Sequence, residues 1–199
     1  MSRAIEFLSQ NVKQHLDWTI DLCRIPSIST RPENKEDVAR SVRWTHEKCE
    51  QMGLKSRIME TGGHPLVYAE WLGAPGKPTY LVYGHVDVQP IGDRALWDAD
   101  PFEPTVKGEW LVCRGSSDDK GQVLLYLRAA QAWLATEKRL PINLKFLIEA
   151  EEEGGIRLMA TDLDLQINET VEANVTEPGA TTAPDERLSW PKNVAMGAQ

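Results

Sequence analysis

At 199 residues, with 41% hydrophobic and 26% charged residues, the chain has the makeup of a globular domain with a buried core. Its net charge of −8, from 22 basic and 30 acidic residues without a basic block, argues against nucleic acid as a partner, and its apolar runs are too short to cross a bilayer. Cys23, Cys49 and Cys113 lack CxxC spacing, and Met1-Ser2-Arg3-Ala4-Ile5-Glu6 lacks the apolar core of a secretory signal, so a reduced, cytoplasmic protein is expected.

Ile5, Leu8, Val12, Leu16 and Ile20 recur at spacings of three or four and predict one amphipathic helix over 4–23, ended by Pro26. Ser27-Ile28-Ser29-Thr30-Arg31-Pro32 reads as a polar loop. A second helix is predicted over 35–52, closed by Gly53. The period then changes. Residues 56–60, 66–71 and 79–83 are short β-type runs parted by Thr61-Gly62-Gly63 and Ala74-Pro75-Gly76. Residues 110–113 predict another short strand and 120–136 a helix with Val123, Leu124, Leu127, Ala130 and Leu134 on one stripe. Residues 142–148 predict a buried strand. Helices between strands define an α/β fold, a layered and largely buried sheet with flanking helices. After Glu153 the texture shifts. Residues 154–199 read as a separate β-rich, irregular tail, with strands at 157–159, 163–167 and 170–175 and no periodicity after 183.

Three acidic or imidazole-bearing segments sit at the ends of these elements. His85-Val86-Asp87 follows the apolar run 80–83, at the carboxyl end of a strand, where open α/β sheets bind ligands. His85 can reach a metal from there. Asp87 projects to the same side of an extended segment and can accept the other imidazole N–H, fixing its tautomer. A satisfied surface histidine has the same local signature. Asp118-Asp119-Lys120-Gly121 opens a long helix. Its acids suit capping of orphan amides, and one carboxylate could also bridge two cations about 3.5–4 Å apart. Glu151-Glu152-Glu153 follows the buried strand, either as a solvated loop or as a metal ligand beside a general base.

The ordered set of His85-Val86-Asp87, Trp97-Asp98-Ala99-Asp100-Pro101-Phe102-Glu103-Pro104, Arg114 to Gly121 and Glu151-Glu152-Glu153 resembles the catalytic domain of the M20 zinc peptidases. The likeness is to their dipeptidase and carboxypeptidase-like members and covers residues 4–153. The resemblance implies that His85 binds one metal and Asp87 orients it. Asp118 then bridges both metals and Asp119 is a neighbour. Glu152 is the general base, and Glu153 is the ligand to the second metal. It implies two Zn2+ ions, with Mn2+ or Co2+ as alternatives, and a peptide or dipeptide-like substrate.

The sequence also departs from that family. No histidine follows His85, whereas the family has two further ligands downstream, an acid and a histidine, and an inserted lid domain. Gly154-Gly155-Ile156 stands where the family has one apolar residue, Gly and Ser. The expectation is a truncated hydrolase, a partial catalytic domain over 1–153 that is weakly active or inactive alone. The alternative is a non-catalytic interaction fragment or a defunct fusion product. Residues 147–188 resemble the N-terminal part of a bacterial DNA polymerase sliding clamp, which places a junction near 151–155. Poorly covered sheet edges predict self-association.

Overall fold

The computed structural model describes residues 2–151, 160–162 and 165–167. Its N-terminal apolar stripe forms two helices, α1 (Arg3–Gln10) and α2 (Val12–Cys23), instead of the single one predicted over 4–23. Asn11 breaks the run. Its backbone leaves the helical region (φ −112°, ψ 20°), and its Nδ2 donates to the Phe7 carbonyl at 2.7 Å. That is the local side-chain bond by which Asn competes with helix. After a 3-10 turn at Pro32–Asn34, α3 (Lys35–Gln51) begins with Glu36 and Asp37 at its positive end.

The strands β1 (Lys55–Met59), β2 (Leu66–Trp71) and β3 (Thr79–His85) come next, each within a residue or two of its predicted place. A small antiparallel hairpin pairs β4 (Thr105–Lys107) with β5 (Trp110–Val112). β4 has no counterpart in the sequence reading, because Val106 is its one apolar residue, whereas the equally short β5 is an apolar run. Then come α4 (Lys120–Glu137) and β6 (Asn143–Glu149). A second hairpin joins β7 (Ala160–Asp162) to β8 (Leu165–Ile167). The latter falls inside the predicted 163–167. The predicted 157–159 and 170–175, and everything after 167, lie outside the described residues.

The main sheet has the order β1-β2-β6-β3. β1 and β6 each run antiparallel to β2, while β6 runs parallel to β3, so the architecture is the expected α/β one with a mixed sheet. The core gathers Val67 and Ala69 of β2, Phe146 and Ile148 of β6, Val38 and Val42 of α3, and Val123 and Leu127 of α4, all buried. Burial of each large side chain among them contributes roughly 1.5–3 kcal/mol.

The other face corrects the expectation of a largely buried sheet. Half-buried Lys145 and Glu149 of β6 flank buried Leu147 on that face and share it with Tyr68 and Glu70 of β2 and Tyr83 of β3. Tyr68 Oη donates to Glu70 at 2.6 Å, and Lys145 Nζ lies 5.9 Å from the Tyr68 ring centre. Leu81 and Tyr83 on β3 are 49% and 40% exposed.

Candidate metal centre

Because β3 and β6 are parallel, their carboxyl ends emerge side by side, with His85 opposite Glu149. The His85 imidazole is mostly buried and lies between two carboxylates. Its Nε2 is 3.2 Å from Asp118 Oδ1, and its Nδ1 is 3.3 Å from Asp87 Oδ1. Asp87 has no solvent exposure, and its Oδ2 accepts a 2.6 Å hydrogen bond from Ser29 Oγ. Asp118 is largely exposed. A ring that keeps its proton on Nδ1, towards Asp87, turns the Nε2 lone pair on Asp118. Two electron-pair donors facing each other at that distance need a shared proton or cation. A shared proton satisfies the pair as a histidine–carboxylate contact, and imidazole nitrogen and carboxylate oxygen are also donor types that fit a metal.

Asp118 and Asp119 are joined by a cis peptide bond just ahead of α4. Asp119 occupies the cap position, but its side chain makes no capping hydrogen bond. This corrects the capping reading. The Asp119 Oδ2 instead accepts the backbone N–H of His85 at 3.1 Å, tying the start of α4 to the end of β3. Burial holds the Asp119 carboxyl above its ordinary range, opposed by the His85 N–H.

Lys120, next in the chain, is fully buried and donates from Nζ to the carbonyls of Leu22 and Ile25 at 3.1 and 2.8 Å. It satisfies acceptors at the end of α2, and burial pulls its amine down to about 8. Gly115 (φ +87°) is required nearby, since a Cβ there would meet Val88 Cγ1 at 2.8 Å.

The Trp97 to Pro104 segment buttresses this approach. Trp97 Nε1 donates to the Ile91 carbonyl at 2.9 Å, and the Arg114 N–H donates to the Pro101 carbonyl at 2.8 Å. The Arg114 guanidinium lies 5.4 Å from the Trp97 ring centre.

On the β6 side, Tyr83 Oη donates to Glu149 Oε2 at 3.1 Å, and burial holds the Glu149 carboxyl above its ordinary range. Glu151 is exposed and accepts the His64 N–H at 3.1 Å. Glu152 and Glu153 lie outside the described residues. Among the described residues, no group of three or more His, Cys, Asp or Glu side chains is arranged to hold a metal.

Sequence reasoning passed over Ser27, Ser29, His64 and Glu149. The one available signal was the strand-like alternation of Ser27-Ile28-Ser29, whose Ile28 forms a parallel bridge with Val88.

A layered α/β domain that presents a histidine and carboxylates at paired parallel strand ends has the catalytic fold of the M20-like metal-dependent hydrolases. The model of peptidase family M20/M25/M40 matches residues 81–185, just over half of the chain, and the chain belongs to that family. Membership implies metal-dependent chemistry.

The chain is 28% identical over 171 residues to the Beta-Ala-His dipeptidase of Rattus norvegicus, covering 77% of this chain and 35% of that protein. It is 41% identical over 110 residues to the Mus musculus protein of the same name, covering 53% and 22%. Among solved structures it is similar to human carnosine dipeptidase 1 (TM-score 0.69, 28% identity, 75% of this chain and 34% of that one). It is also similar to the M20 family metallo-carboxypeptidase Sso-CP2 from Sulfolobus solfataricus (TM-score 0.63, 34% identity, 69% and 31%). The chain thus spans roughly a third of the length of such relatives. The family match takes in most of the segment likened to a sliding clamp, and no comparison supports a clamp origin for it. Among the described residues, no helix is long and apolar enough to cross a membrane.

Proposed function

We propose that this chain carries part of the metal site of an M20 hydrolase that cleaves a peptide or related amide bond in a dipeptide-like substrate. The observation that carries the reading is the 3.2 Å approach of His85 Nε2 to Asp118 Oδ1, with buried Asp87 behind the ring. On this reading His85 and Asp118 would hold one metal, and Asp118 and Glu153 would serve the second. Asp87 orients the His85 ring. Glu152 is the general base, taking a proton from the attacking water and returning it to the leaving amine. Two Zn2+ ions suit imidazole and carboxylate donors, and Mn2+ or Co2+ suit the same set. When bound, the ions polarise the scissile carbonyl and lower the pKa of water.

Residues 1–153 form the metallopeptidase portion on this reading, and 154–199 a divergent segment. Buried, unpaired Cys23, Cys49 and Cys113 are in keeping with a reducing cytoplasm. The chain spans about a third of the length of its relatives, which supports the reading that it is weakly active or inactive alone. Exposed Tyr80, Leu81 and Tyr83 along β3 favour self-association, which light scattering at rising concentration reads as growing mass.

Isothermal titration with Zn2+ tests the central claim. Binding that weakens at least tenfold in both His85→Ala and Asp118→Ala is the expected result. Absence of binding by the wild-type chain overturns it.

A further inference from the structure

We propose that Ser29 is a positioning residue for His85, acting through Asp87, and that His64 extends this bridge to the start of the acidic run. The proposal rests on the metal-site reading above, because its purpose is to hold a ligand ring in place.

The geometry is built from the backbone outward. Ser27 Oγ donates to the Val86 carbonyl at 2.7 Å, and the Val88 N–H donates to the Ser27 carbonyl at 2.9 Å. Ile28, buried, forms the parallel bridge to Val88. The chain is therefore pinned on both sides of Asp87 by residues that precede Ser29. Pinned this way, Ser29 Oγ reaches Asp87 Oδ2 at 2.6 Å, the length of a charge-assisted hydrogen bond. Asp87 is fully buried, and a buried carboxylate keeps its charge only with donors around it. The hydroxyl sets how the carboxylate plane is turned. The other oxygen then lies 3.3 Å from His85 Nδ1, which also faces the Asp87 backbone carbonyl at 3.3 Å, so the carboxylate and the carbonyl together favour the ring proton on Nδ1.

The same residue also faces the second carboxylate cluster. The Ser29 carbonyl is 3.0 Å from His64 Nε2, and the His64 backbone N–H donates to Glu151 Oε2 at 3.1 Å. A carbonyl oxygen only accepts, so His64 carries its proton on Nε2. Ser29 and His64 thus connect Asp87, behind the metal-binding histidine, with the first residue of the run that supplies the proposed base. A loop with a packing role alone has no need to contact both.

The test uses the full chain as wild type, Ser29→Ala and Ser29→Thr, with two measurements. Long-range proton–nitrogen NMR of the metal-free protein, at mildly alkaline pH, reads the His85 tautomer. Competition titration reads Zn2+ affinity. The wild type and Ser29→Thr are expected to hold one tautomer, with the proton on Nδ1. Ser29→Ala is expected to show a mixture and to bind Zn2+ about 10–100-fold more weakly. A Ser29→Ala protein that keeps the single tautomer and wild-type affinity, with only its unfolding temperature lowered, overturns the proposal. If Ser29→Ala does not fold, Ser29→Cys, a weaker donor of similar size, decides by the same two readouts. A wild-type chain that binds no Zn2+ while its tautomer responds to Ser29→Ala overturns the metal reading and supports Ser29 as the orienting group. Zn2+ binding that is indifferent to Ser29 overturns this inference alone.

Discussion

The Asp119 carboxylate reaches the backbone of β3 through space that Gly84 leaves open: a Cβ on Gly84 would lie 2.6 Å from Asp119 Oδ2. It would also lie 2.6 Å from Val123 Cγ2, so α4 and the sheet close on each other at this point. Gly84→Ala therefore forces the start of α4 away from β3. The expected loss is about 1–3 kcal/mol, the usual cost of overpacking, read from the urea midpoint. Wild-type stability in Gly84→Ala would show that α4 can shift freely there.

The two aspartates beside His85 differ in burial, and their substitutions should separate accordingly. Asp118 is 73% exposed in its side chain, so Asp118→Asn should change stability by less than about 0.5 kcal/mol while lowering Zn2+ affinity. Asp87 is fully buried, and Asp87→Asn should lower both, with a stability loss of about 1–3 kcal/mol. Denaturant melts beside Zn2+ titrations of the two variants give the comparison.

Asn143 fixes the turn between β2 and β3. Its Nδ2 donates to the carbonyls of Ala74 and Lys77, and its Oδ1 accepts the Ala74 N–H, all at 3.0 Å. Asn143→Ala leaves these nearly buried groups unpaired and should cost about 2–3 kcal/mol. Asn143→Asp points a carboxylate at two carbonyl oxygens. Its deficit in chemical denaturation should shrink as pH falls and the acid becomes a donor.

Cys49 gives the chain an alkaline limit. Burial pushes its thiol from 9.0 up to about 12. Between those values the unfolded chain has released the proton and the folded chain still holds it, so stability falls as pH rises through the window. The loss is at most on the order of 4 kcal/mol across it. Cys49→Ala is less stable at neutral pH because of the cavity, but its stability should decline less steeply above pH 9. Parallel slopes for the two proteins would show that this thiol does not govern alkaline unfolding.

Much of the fold was legible because periodicity reports burial. α3, α4 and the strands of the main sheet each carry enough residues to show a period, and they fall close to their predicted bounds. The break at Asn11 and the three-residue β4 escaped for opposite reasons. In the first, one polar side chain interrupts an otherwise intact stripe; in the second, a single valine between polar residues gives no apolar run like that of the equally short β5. Around the site, His85 and Asp118 stood out by residue type and by their place at element ends. Ser29 did not, because its partner Asp87 is 58 residues away and a hydroxyl in a polar loop has no pattern of its own. The second sheet face escaped because β6 begins and ends in polar residues around an apolar centre, which reads as burial on both sides.

The placement of β6 between β2 and β3 has a consequence for how the chain folds. During synthesis β1 and β2 can form their hairpin early, but the described pairing of β3 is with a strand whose first residue is Asn143. Until that strand arrives, the inner edges of β2 and β3 are both open and α4 has only half of its platform. Parallel, long-range pairing of this kind is slow and leaves edges exposed to other chains. The β3 end of the site, where His85 stands opposite Glu149, should therefore take its final form in the same late step that closes the sheet.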